Sequence, residues 1–279
     1  MFGDSLTFGS AVHNADTMTA IVREKFPNSL NMGWPSQGWG GVLSYLGIYR
    51  EYVKRVNPEL IIHLHFENDF LDTKSEFEHN IIKNYLDDEF LQGLGNLPFK
   101  YSTERDRQFN LAVDEYVLDF QNTQYERVKN FILWNLFLGK TKLAIKKLVS
   151  WDFADTSYAP YDPSYDPSVR TDSNAWEVAT HKMVNAITEA GQKYLFVYLP
   201  SYEECISKKK KSDHRFVIDF MKIKGATIAD ATDVICDSIE AKFDAYKAHY
   251  SPSGYSSVGR LILDTIEKEN LLSPNGKLK

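Results

Sequence analysis

The opening segment Met1-Phe2-Gly3-Asp4-Ser5-Leu6-Thr7-Phe8-Gly9 sets a serine between an acidic and an apolar residue, with a glycine on either side. That composition suits a tight turn where a strand hands over to a helix. Such a turn exposes the hydroxyl and places backbone N–H groups beside it. A serine there acts as a nucleophile only where a base reaches it, because the free hydroxyl is too weak. The plainer reading is that Asp4-Ser5 caps a helix. The base expected is His249, in the turn-rich stretch His249-Tyr250-Ser251-Pro252-Ser253-Gly254-Tyr255 near the other end of the chain. Two further segments carry donors suited to a developing oxyanion. Ser29-Leu30-Asn31-Met32-Gly33 runs into a turn rich in Trp and Gly, and Leu60-Ile61-Ile62-His63-Leu64-His65-Phe66-Glu67-Asn68-Asp69 is an apolar strand ending in a polar cluster. The Ser5 and Gly33 N–H groups and the Asn68 amide are the donor types such a hole needs.

The elements that must position these residues alternate in type. Apolar periodicity predicts helices over residues 17–25, with Met18, Ile21, Val22 and Phe26 on one face, and over 41–56, with Leu43, Leu46, Tyr49 and Val53 in register. Further helices are expected over about 174–190 and 212–223, and one after Ser251-Pro252, a helix-start signal. Strands are expected at 29–33, 59–66, 194–199 and 227–229. Strands alternating with helices imply a parallel sheet covered on both faces. Ligands then lie outside the carboxyl ends of the strands, the edge where Ser5, Gly33, Asn68 and His249 all fall.

Taken in order, these four segments resemble the GDSL esterases of the SGNH hydrolase superfamily. The resemblance covers residues 1–73 and about 174–267. It implies a three-layer, flavodoxin-like α/β fold with a helical or loop insertion at about 73–172, and a single hydrolase domain. It also implies Ser5 as nucleophile, His249 as base, and Ser5, Gly33 and Asn68 as the oxyanion hole. The substrate implied is a carboxyl ester or an O-acetyl group on a glycan, with no cofactor. Three departures stand out. Phe66 occupies the glycine position of the family's third block. Tyr246 holds the place of the acid three residues before the histidine, which leaves Asp244 as the nearest substitute. The apolar strand that normally precedes Gly-Asp-Ser has only Met1 and Phe2 to form it, so the first strand reads as missing and the start as truncated or misplaced. The second and third departures motivate an alternative function, a catalytically weak module that binds an acylated glycan or a protein partner.

Composition bounds the rest. A length of 279 residues, 43% hydrophobic with 14% aromatic, supports a sizeable core. The net charge of -6 gives no reason to expect nucleic acid. A mean hydropathy of -0.38, with no run of eighteen apolar residues, argues against a membrane-spanning chain. The compartment stays open. Cys205 and Cys236 lie in different elements without metal-ligand spacing, and they read as reduced core thiols rather than a disulfide. His63 and His65 alternate on one strand and so share a face. A metal pair is conceivable there, but packing under helices favours core or supporting roles. Glu67 and Asp69 bracket Asn68 and are expected to hydrogen-bond to nearby turns rather than to act as paired catalytic carboxylates. The apolar run at 131–138 reads as a lid helix in preference to a membrane-surface contact, and Lys208–Lys211 as a solvated loop.

Overall fold

A computed structural model describes residues 1–10, 12–34, 40–93, 173–207, 212–245 and 247–272. The chain divides into two units, Met1–Gly95 with Asp166–Lys279, and Asn96–Tyr165. The second unit lies outside the described residues, and with it the expected lid at 131–138. So do Lys208–Lys211 and Tyr246.

In the first unit, five parallel strands form one sheet in the order β2-β1-β3-β4-β5. They are β1 (Phe2–Gly3), β2 (Met32–Gly33), β3 (Leu60–His65), β4 (Lys193–Tyr198) and β5 (Thr227–Asp230). The helices are α1 (Ser5–Phe8), α2 (Met18–Lys25), α3 (Val42–Ile48), α4 (Lys54–Val56), α5 (Asp69–Glu78), α6 (Ser173–Glu189), α7 (Tyr202–Ser207), α8 (Ser212–Ile223), α9 (Thr232–Cys236), α10 (Ile239–Lys242) and α11 (Pro252–Lys268). A π turn over Tyr49–Val53 joins α3 to α4 inside the single helix that periodicity predicts. The first strand, expected from the sequence to be missing, is present over Phe2–Gly3. Phe2 pairs with Met32 and His63, and Gly3 with Gly33, which is enough to seat β1 between β2 and β3. The helix α5 and a 3₁₀ turn at Ile82–Leu86 belong to the first unit.

Period-two alternation in the strands builds two cores, one on each face. Ile61, Tyr194, Phe196 and Tyr198 meet α3, α5, α6 and α8 on one side, with Trp176 and Phe70 among the buried rings. Ile62, Leu64, Leu195, Val197 and Leu199 meet α2, α7, α9 and α11 on the other. This is the three-layer α/β arrangement. Both faces of β4 are apolar, as a strand covered on two sides requires, while β3 sets the buried His63 and His65 beside Ile61 on one of its faces. The start of α3 is held by α5: Glu76 accepts from the Gly41 and Leu43 N–H groups at 2.9 and 3.0 Å, and Thr73 Oγ1 from Val42 N–H at 3.0 Å. These bonds satisfy donors that a helix N-terminus leaves without intrahelical partners.

The two cysteines are bonded to each other, which corrects the expectation of free thiols. Neighbouring strands β4 and β5 are each followed by a short helix, and α7 and α9 bring Cys205 and Cys236 to a Cα–Cα distance of 4.9 Å. The bond closes a loop over a separation of 31 residues, for which the chain-entropy relation gives about 3–4 kcal/mol. A Cys205→Ser/Cys236→Ser double variant is therefore expected to lose about that much stability in urea unfolding. An unchanged midpoint and slope would show that the crosslink constrains nothing in the unfolded chain.

Candidate active site

The turn that carries Ser5 is dense with constraint. Asp4 caps α1, its Oδ1 accepting from Leu6 N–H at 2.9 Å, so Ser5 is the first helical residue. As such, its N–H has no intrahelical acceptor. The capping reading of Asp4-Ser5 thus holds, and it is compatible with a reactive Ser5. Gly3 must be glycine, since a Cβ there would meet Thr7 Oγ1 at 1.9 Å. Burial, reinforced by the Asp69 carboxylate, pushes Asp4 up to about 7 against the hydrogen bonds from Leu6, Asn68 and Thr7.

His249 arrives from 244 positions away, and its Nε2 lies 3.0 Å from Ser5 Oγ. Its loop is closed at the base by an antiparallel bridge between Phe243 and Tyr250. Tyr250 is fully buried and donates its hydroxyl to Pro200 O at 2.7 Å, which ties the loop to the end of β4. Ser251 then caps α11. Burial lowers the His249 pKa from its ordinary 6.5, opposed by the Asp244 charge. A neutral imidazole with a free Nε2 lone pair can accept the Ser5 proton.

Asp244 sits at the other end of this loop, and its Oδ1 accepts from Ala248 N–H at 3.1 Å. Its backbone N–H donates to His249 O at 2.9 Å. Among the described hydrogen bonds none joins its carboxylate to the imidazole. Asp244 shapes the turn and acts on His249 through its charge. Asp244→Asn is therefore expected to keep kcat within about ten-fold, where a wrong-tautomer effect costs about 10⁴. Removing the negative charge should also move the acid limb of the pH profile lower. A loss near 10⁴ would mean that the carboxylate swings onto the ring during the reaction.

The two remaining donors are engaged within the chain. Gly33 packs against α1 so closely that a Cβ would meet Phe8 N at 2.2 Å. Its N–H donates to Asn31 Oδ1 at 2.9 Å, while Asn31 Nδ2 donates to Thr7 O at 3.0 Å. Asn31 therefore clamps β2 to α1 and holds the Gly33 N–H. Sequence reasoning missed this role, although an Asn two residues before the N–H it accepts from is the signature of an Asx turn. Asn68 ends the turn between β3 and α5. Its Nδ2 donates to Asp72 Oδ2 at 3.1 Å and bears on Asp4, while its Oδ1 is buried with no hydrogen-bond partner among the described residues. Asp69 does not continue the strand's alternation. It begins α5 and is fully buried, accepting from Phe66 N–H at 3.2 Å, which is the turn bond expected of it.

Among the described residues no helix is long and apolar enough to cross a membrane. Comparison with protein-family models, with curated proteins and with solved structures finds no match for this chain.

Proposed function

We propose that the chain is a serine hydrolase cleaving carboxyl esters or O-acetyl groups through an acyl-enzyme, as its resemblance to GDSL esterases implies. The observation that carries this reading is the 3.0 Å contact between Ser5 Oγ and His249 Nε2, made by residues 244 positions apart. In the reaction, His249 Nε2 takes the Ser5 proton as Oγ attacks the ester carbonyl. The tetrahedral oxyanion is met by the Ser5 N–H and by Asn68 and Gly33 once these exchange their internal partners for it. Collapse expels the alcohol, protonated by His249. Water, deprotonated by the same nitrogen, then releases the acid and restores Ser5. The Cys205–Cys236 bond suits work in an oxidising compartment.

The engaged Gly33 N–H and Asn68 amide favour a second reading. On it the chain is a weak or inactive module that binds an acylated glycan or a protein partner. Turnover of a small aryl acetate across pH separates the two. Because His249 must be neutral to act, and its pKa lies below 6.5, kcat/KM should be level above that value. It should fall about ten-fold per pH unit below the pKa. No turnover above the buffer rate at any pH supports the binding module.

A further inference from the structure

Behind the nucleophile, on the face covered by α3, α5 and α6, lies a second cluster of groups that ester cleavage does not use. His63 and His65 point to the same side of β3, and Asp69 reaches back to them from the first turn of α5. All three are fully buried, and their ligand-type atoms lie within 4.8 Å of one another. His65 Nδ1 is 2.9 Å and His63 Nε2 3.9 Å from Asp69 Oδ2. Tyr45 donates its hydroxyl to the other carboxylate oxygen, Oδ1, at 3.3 Å.

His63 is the informative member. Its Nδ1 is held by the Tyr194 hydroxyl at 2.6 Å, which orients the ring. Its Nε2 faces Asp69 Oδ2, too far for a hydrogen bond, and has no hydrogen-bond partner among the described residues. Neither tautomer satisfies this geometry. If the Tyr194 hydroxyl donates to Nδ1, the Nε2 proton has no acceptor in reach. If Nδ1–H donates to Tyr194, the Nε2 lone pair faces carboxylate lone pairs across an apolar interior. A buried polar atom left this way carries its desolvation penalty uncompensated, and a fully buried carboxylate calls for a compensating charge.

A cation between the three atoms resolves both problems. We propose that His63 Nε2, His65 Nδ1 and Asp69 Oδ2 bind a divalent transition-metal ion, with zinc as the natural occupant. Two imidazole nitrogens and one carboxylate oxygen suit zinc and its neighbours rather than calcium or magnesium. Ligand lengths of about 2.0–2.2 Å around a tetrahedral zinc separate neighbouring donors by about 3.3 Å. The separations of His65 Nδ1 and His63 Nε2 from Asp69 Oδ2, 2.9 and 3.9 Å, bracket that figure. Tyr194 on His63 and Tyr45 on Asp69 are the outer hydrogen bonds that metal ligands carry. A water or Asp69 Oδ1 completes the coordination. The role is structural: the ion ties the end of β3 to the start of α5, with the Asn68 turn between its ligands. This site departs from the core role expected for His63 and His65, and it stands independently of the hydrolase reading.

The test uses the full chain, unfolded without reductant so that the disulfide survives. It is refolded in parallel with equimolar ZnCl₂ or with EDTA, then exchanged into metal-free buffer. Elemental mass spectrometry is expected to find one zinc per chain in the first arm, with a melting temperature above that of the EDTA arm. His63→Ala and His65→Ala should retain less than about a tenth of an equivalent, while His181→Ala, an exposed histidine elsewhere, retains one. Wild-type protein that folds equally in both arms and holds no zinc overturns the proposal. Zinc retained equally by folded His63→Ala and His65→Ala overturns it as well. Should those variants fail to fold, the two wild-type arms decide alone. No step reads activity, so a failed hydrolase assay leaves the result intact.

Discussion

Ser5→Ala and His249→Ala are each expected to lower kcat for a small aryl acetate by roughly 10⁶-fold, the scale found when one member of such a relay is removed. The double variant should be no worse than either single one. The reason is the shared proton: without His249 the Ser5 hydroxyl is not activated, and without Ser5 the imidazole at 3.0 Å has nothing to deprotonate. Steady-state kinetics on the three variants checks this. Near wild-type turnover by Ser5→Ala removes the nucleophile assignment outright. Multiplicative losses in the double variant would mean that the two residues act in separate steps.

Asn68→Ala should lower kcat by about 10²–10³ with KM nearly unchanged, the effect of deleting a donor that bonds mainly to transition-state charge. In the resting chain the Asn68 amide donates to Asp72, and its transfer to the oxyanion is what the reaction would supply. A rise in KM at constant kcat would make Asn68 a substrate contact instead. Unchanged kinetics would leave it as the linker between Asp72 and Asp4 that the resting geometry already displays.

Most of the framework was legible because its elements obey simple periods. The apolar runs at 59–66 and 194–199, the apolar face of 17–25, and the helices expected at 212–223 and after Pro252 match β3, β4, α2, α8 and α11 closely. The shortest helices were not legible, although the short strands at 29–33 and 227–229 were. The helices α7, α9 and α10 run for six, five and four residues, too short for an apolar stripe to declare itself. Without α7 and α9 the approach of Cys205 to Cys236 could not be seen. The start of α5 was missed for another reason: Asp69, Asp72 and Glu76 are buried acids inside the helix, so its inner face does not read as apolar. At the site, the residues converging from distant segments were visible as types, and Ser5 with His249 meet as expected. The bonds that restrain Gly33, Asn68 and Asp244 were hidden, because each goes to a neighbour two to four residues away and depends on turn geometry rather than on residue class.

Intact-mass measurement after treatment with a serine-directed fluorophosphonate tests the central claim most directly. The folded wild-type chain is expected to gain one adduct, mapped by peptide sequencing to Ser5, with labelling abolished in Ser5→Ala and slowed by orders of magnitude in His249→Ala. A folded chain that stays unlabelled, or that carries the adduct on another serine with Ser5→Ala labelling just as fast, would contradict it.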